Sequence, residues 1–185
     1  MNIKTRSLTL SALFSALAII IIYLASLWPT GQIGLTAVAA LLVAAAIIES
    51  GIVAGISVYI VSSVISFLIV TDRIAPLLFI FFFGHYPVVK CIIEKRSNLV
   101  FQIFAKFVVF NLSLTIFLIV FGMLVKWLFG NYSAGMLQLV QSFDFSIVLI
   151  YIVGNIIFYL YDYGFTKLIL FYKERISNVI NKKNK

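Results

Sequence analysis

Charged residues are scarce in this sequence of 185 residues: only 11% are Asp, Glu, Lys or Arg, whereas 63% are hydrophobic. A soluble domain of this composition would lack a charged surface, so that class of protein is excluded. The apolar stretches are too long for the strands of a membrane barrel and do not alternate as those strands do. Helices are then the only spanning structure left. We predict an all-α membrane protein with a single transmembrane domain over 1–185.

Cysteine and histidine are almost absent, since the chain has only Cys91 and His85. One cysteine permits no internal disulfide, and one histidine cannot build a metal-binding triad. The sequence also lacks GxSxG, HExxH and a phosphate-cradling glycine loop. We therefore expect no enzyme activity, no metal site and no cofactor.

Acidic residues are few, and the formal net charge is +8. In a soluble chain this excess would suggest nucleic acid, but here the basic residues flank apolar spans, where retention on the cytoplasmic side explains them. We expect no nucleic-acid partner. The bilayer itself is the expected surrounding.

Six apolar stretches are long enough to cross a bilayer. We predict helices at about 6–28, 33–49, 52–70, 74–94, 99–128 and 145–172, followed by a basic tail at 173–185. Six spans put both termini on one side. With the N-terminus in the cytoplasm, every basic residue except Arg73 and Lys126 lies at or near the inner face, which predicts an N-in, C-in topology in the cell membrane.

The fourth predicted helix is interrupted by Gly84-His85-Tyr86-Pro87. Pro87 cannot donate a backbone hydrogen bond, so we predict a structural kink formed by Gly84, His85 and Pro87. Two interpretations stay open: the kink is purely structural, or it floors a ligand cavity or relays protons. A rise of ~1.5 Å per residue places His85 past the midplane towards the cytoplasm. That depth favours ligand contact in the outer half of the helix instead.

Lys106 lies about two turns inside the fifth predicted helix from its cytoplasmic end, and Asp162 lies near the cytoplasmic end of the sixth. An unpaired charge at the centre of a bilayer costs ~2.5 to 3.5 kcal/mol, and less near its edges. Either the two residues form an ion pair, or Lys106 extends its ammonium group to the headgroups. The sequence leaves both alternatives open.

The first predicted helix reads KTRSLTLSALFSALAIIIIYL, with Ala12 and Ala16 behind a basic N-terminus. With the chain's size, six spans and topology, this resembles the substrate-binding S components of energy-coupling factor (ECF) transporters. The Gly84–Lys90 run, GHYPVVK, is also similar to a stretch in uncharacterised S-component-like proteins. The resemblance implies an S-component-like bundle whose Ala12 and Ala16 pack against a transmembrane coupling subunit, which is joined to two ATP-binding subunits. Small residues permit such close helix contact.

The resemblance also implies that the chain captures a vitamin or similar micronutrient from outside for ATP-driven uptake. The implied pocket lies in the outer halves of the last three helices and the loop after the first. It selects Gln32, Asn111, Tyr151 and Asn155 as ligand-binding residues and the connection at 129–144 as part of a lid. The alternative is a structural membrane subunit of a cell-shape or sporulation complex. Solid packing of the outer ends, with Asn111 paired to Asn155, would argue against transport.

Overall fold

A computed structural model of the protein describes the backbone of residues 3–129 and 144–183 and the side chains of residues 5–123 and 148–174. The described chain is helical, without strands. Its helices are α1 (Ile3–Leu27), α2 (Gln32–Ser50), α3 (Ile52–Ile69), α4 (Ile74–Leu78), α5 (Tyr86–Ile93), α6 (Leu99–Phe129) and α7 (Asp144–Lys183). A 3₁₀ turn at Pro29–Gly31 precedes α2, and a π-helical turn at Phe79–Phe83 lies between α4 and α5.

Six segments of the described chain are long and apolar enough to cross a membrane, and they are called the first to sixth spans below. They are Thr5–Leu27, Pro29–Ser50, Ile52–Ile69, Ile74–Ile93, Leu99–Met123 and Val148–Glu174. The prediction of an all-helical chain with six candidate membrane-spanning helices is thereby confirmed. The helix α7 continues to Lys183, through most of the segment predicted as a basic tail. The predicted lid lies outside the described residues, apart from its two ends.

The first three spans pack most closely, because small side chains fill their contacts. Ala18 and Ala25 of α1 and Ala39 of α2 are fully buried in one core cluster. The α2–α3 connection is a single residue, Gly51, whose φ of 90° suits glycine. At Gly55 an added Cβ would lie 2.2 Å from the Ile47 side chain, so this approach of α3 to α2 needs glycine.

The fifth and sixth spans are attached more loosely to this core. Only 11% of the apolar window is buried in each of them, compared with 50% in the fourth span. Aromatic side chains fill much of the space between these three spans, including Phe158 and Phe165 of α7 against Tyr86 of α5. Bulky rings hold the helices further apart than alanines do, which leaves room for a cavity.

Candidate functional site

The fourth span changes its hydrogen-bond pattern near the middle. The backbone N–H of Gly84 donates to the carbonyl of Phe79 over 2.7 Å, five residues back, and α5 then begins with Pro87 in its first turn. Proline is tolerated there because its missing N–H has no partner to lose. The Ile80 carbonyl lies near the Tyr59 hydroxyl, at 3.0 Å, and His85 Nδ1, at 3.2 Å. The Ile80 carbonyl at this break therefore accepts from Tyr59 of α3 and from His85. Turns with π-helical hydrogen bonds are frequent at functional sites.

A cavity of about 260 Å³ lies beside this break, between the fourth, fifth and sixth spans. Aromatic rings form much of its wall: Phe82 and Phe117 meet edge to face at 5.1 Å, and Phe110 and Phe158 stack at 4.5 Å. Its polar lining residues are His85, Ser113, Tyr86 and Tyr161, and no Asp, Glu, Lys or Arg of the described chain lines it. A wall of this composition suits an apolar ligand that makes few polar contacts.

His85 is fixed in the wall of this cavity by two contacts. Nδ1 is 3.2 Å from the Ile80 carbonyl oxygen, and Nε2 is 3.3 Å from the hydroxyl oxygen of Ser113. A carbonyl only accepts, so Nδ1 carries the hydrogen, and Nε2 of the neutral ring accepts from Ser113. Counting residues along the fourth predicted helix favours ligand contact in its outer half, away from His85. In the structure, however, His85 itself lines the cavity.

The four residues that the family resemblance selects as ligand-binding do not converge on this cavity. Asn111 and Asn155 exchange two side-chain hydrogen bonds of 3.0 Å, which join α6 to α7. The Tyr151 hydroxyl is 2.7 Å from Thr115 Oγ1. Gln32 is buried and donates to Asp72. The lining of the cavity includes none of the four, so their ligand contact stays a prediction.

A cluster of four charged side chains lies next to the cavity, to which Tyr86 connects it, and joins α5, α6 and α7. Lys90 Nζ is 2.6 Å from Glu94 and 2.5 Å from Asp162, and Lys106 Nζ is 2.7 Å from Glu94 and 3.1 Å from Asp162. Tyr86, in the cavity wall, donates to Asp162. The ion pair of Lys106 with Asp162 is therefore confirmed over the alternative of a lysine extended to the headgroups, and Lys106 is only 8% exposed.

Lys90 and Glu94 were not predicted as members of this charge cluster. Their spacing of four residues, which puts side chains on one helical face, was the signal that could have found them. Two cations and two carboxylates sum to zero net charge. Lys90 is only 2% exposed, and because of this balance its buried charge is compensated.

Glu94 lies just beyond the fourth span and gives the cluster a pH dependence. Burial raises the pKa of Glu94, but hydrogen bonds from Lys106 and Lys90 outweigh it and hold this pKa below its usual value of 4.5. Because the folded pKa is depressed, the contribution of Glu94 to stability is present above pH 4.5 and is lost as pH falls through the folded value. We expect Glu94→Gln to flatten that acid-side loss, measured as unfolding midpoints in detergent over pH; an unchanged slope would contradict this role.

A second surface lies on the first span, away from the cavity. Ala12 and Ala16 are exposed and line an open groove of about 340 Å³ between α1 and α3, together with Ser11, Ser15 and Ser57. On α1 the small side chains leave the helix backbone accessible to a third helix, whereas Val61 and Ile65 line the α3 side beside Ser57.

Within the part of the chain that the structure describes, no group of three His, Cys, Asp or Glu side chains is placed to hold a metal ion. The site is thus defined by the apolar cavity, the His85–Ser113 pair and the charge cluster below them. A scan against protein-family models and searches of curated proteins and of solved structures find no match to this chain.

Proposed function

We propose that this chain is the substrate-binding subunit of an energy-coupling factor importer in a bacterial cell membrane. It captures a vitamin or similar micronutrient from outside, and partner subunits supply ATP-driven uptake. The observation that carries the proposal is the cavity between the fourth, fifth and sixth spans, since the resemblance puts the substrate pocket among these same three spans. Asn111 pairs with Asn155, but the cavity of about 260 Å³ means that these spans are not packed solid against one another.

The distribution of charge supports an orientation with both termini in the cytoplasm. Lys90, Lys106 and their carboxylate partners lie at one end of the last three spans, and Lys95 and Arg96 follow directly after them. Asp72 and Arg73 lie at the opposite end of the fourth span. The excess of basic residues at the first end favours it as the cytoplasmic one. In that orientation the Ile33 end of the cavity faces outside.

The groove at Ala12 and Ala16 supports a coupling role, because a foreign helix requires a wall of small residues. We expect Ala12→Trp with Ala16→Trp to reduce co-purification of the coupling and ATP-binding subunits by about tenfold or more, as loss of an interface centre does. Co-purification from native membranes, quantified by mass spectrometry, measures this.

The matched control replaces Leu13 and Leu17 with tryptophan, at the same depth on α1. Both leucines are exposed and neither lines the groove, so this variant should keep its partners. Equal co-purification of the alanine and leucine variants would contradict the assignment of the groove.

One observation favours the structural alternative. Asn111 and Asn155 satisfy each other across α6 and α7, which suits a scaffold whose polar residues only join helices. A scaffold subunit of a cell-shape or sporulation complex would co-purify with proteins of that complex and without ATP-binding subunits, so the same purification separates the two functions.

A further inference from the structure

The lining of the cavity defines a class of substrate. We propose that the cavity binds a small, neutral, flat apolar molecule with one hydrogen-bonding group, and that this group is recognised by the His85–Ser113 pair. The inference rests on the proposed function, because it names the substrate class of the same site. Its three parts follow from the charge, the shape and the hydrogen bonding of the wall.

The wall requires a neutral ligand. No charged side chain of the described residues lines the cavity. Asp162, the carboxylate that accepts from Tyr86 in the wall, is already engaged by Lys90 and Lys106. An ionised ligand would lose its hydration without gaining a countercharge, which is strongly unfavourable in an apolar site.

The aromatic rings favour a flat ligand of modest size. Each of the three spans contributes rings to the wall: Phe82 from the fourth span, Phe110 and Phe117 from the fifth, and Phe158 from the sixth. Aromatic rings bind other flat rings by edge-to-face or offset contacts. The volume of about 260 Å³ is small for a ligand site, since such sites run from ~300 Å³ upwards.

The polar pair can receive one hydrogen-bond donor. With the ring of His85 fixed by the Ile80 carbonyl, the hydroxyl hydrogen of Ser113 is directed to Nε2, and the Ser113 oxygen keeps acceptor capacity. The separation of 3.3 Å is long for such a bond. A ligand hydroxyl or N–H can therefore donate to the Ser113 oxygen, whereas a lipid acyl chain has no donor for it. The hydroxyl of Tyr161, in the same wall, is buried and has no partner among the described residues.

Three probes of similar shape test this class of ligand: 2-naphthol, naphthalene and the anion 2-naphthoate. Binding to the full chain in lipid nanodiscs is measured by calorimetry, with empty nanodiscs subtracted. We expect 2-naphthol to bind about fivefold more tightly than naphthalene, the effect of one neutral hydrogen bond. We expect no saturable binding of 2-naphthoate. Ser113→Ala should reduce 2-naphthol to the affinity of naphthalene and leave naphthalene unchanged.

Two glycines of α7 provide a matched pair for blocking the cavity. A Cβ at Gly154 would lie 3.5 Å from Leu114 and from Phe110, both in the wall, which is ordinary contact. A Cβ at Gly164 would meet no atom within 4 Å. Gly154→Leu should therefore abolish binding of both neutral probes, while Gly164→Leu should retain it.

Several results would overturn the proposal. One is equal affinity for 2-naphthol and naphthalene that Ser113→Ala does not change. Another is equal binding to the Gly154→Leu and Gly164→Leu proteins. A third is native mass spectrometry in which wild-type protein retains a phospholipid that Gly154→Leu loses, because the cavity would then hold an acyl chain. Probe binding needs no partner subunits, so the two proposals can fail separately. If the probes do not bind but the partner subunits still co-purify, only the ligand class is overturned. If the probes bind but the partner subunits do not co-purify, only the importer is overturned.

Discussion

Replacing Asp162 with alanine is expected to lower the free energy of unfolding by about 3 kcal/mol, the effect of breaking a buried ion pair. The carboxylate of Asp162 contacts Lys90, Lys106 and Tyr86. Its loss leaves two lysines, 2% and 8% exposed, with Glu94 as their single described carboxylate partner. Unfolding of the purified protein in mixed micelles by sodium dodecyl sulfate measures the change.

Two further variants make this result specific to the charge cluster. Glu174→Ala removes an exposed carboxylate from the same helix and should change stability little. The double variant Asp162→Leu with Lys106→Met removes one charge of each sign and keeps the Lys90–Glu94 pair. It should recover much of the lost stability, since residues of one network are not additive. Equal stability of Asp162→Ala and Glu174→Ala would show that the cluster does not hold these helices together.

Replacing Gly84 with alanine is expected to destabilise the protein by about 3 kcal/mol, at the upper end of overpacking effects. The added Cβ would lie 2.7 Å from Phe79 Cε1 and 2.8 Å from both the Phe79 carbonyl oxygen and Tyr59 Cδ2. The carbonyl belongs to the π-helical turn and cannot rotate away as a side chain can. Because His85 is the next residue, the shift should also weaken binding of 2-naphthol in the calorimetric assay.

Gly122→Ala is the control for this variant, because a Cβ on that residue of α6 would meet no atom within 4 Å. An open glycine within a helix costs ~0.5 to 1 kcal/mol relative to alanine, so this control should be slightly more stable than wild type. If Gly84→Ala were as stable as Gly122→Ala, the close packing around the break in the fourth span would be wrong.

The spans could be predicted from the sequence because length and hydropathy are local properties. A run such as the one from Ile52 to Ile69 must satisfy its backbone within itself in lipid, and helix is the only solution. The break at Pro87 is equally local, since the missing N–H is a property of one residue. The extension of α7 to Lys183 was not evident, because polarity ends a membrane span without ending a helix.

The arrangement of the site depended on tertiary distances that hydropathy does not contain. The pairing of Lys106 with Asp162 could be anticipated, because the cost of an isolated charge in lipid demands a partner. The pairing of Asn111 with Asn155 required knowing that α6 and α7 face each other at that level. The cavity depends on rings such as Phe110 of α6 and Phe158 of α7, which stack on each other and line it. A count of residues along one helix could not show that the cavity reaches His85.

The most direct test of the proposed function is affinity purification of the wild-type chain from its own membranes, followed by native mass spectrometry of the intact assembly. An importer subunit should emerge in a complex with one transmembrane coupling subunit and two ATP-binding subunits, and the Ala12→Trp, Ala16→Trp variant should emerge without them. A wild-type chain that emerges free of ATP-binding subunits, bound instead to cell-shape or sporulation proteins, would contradict the importer.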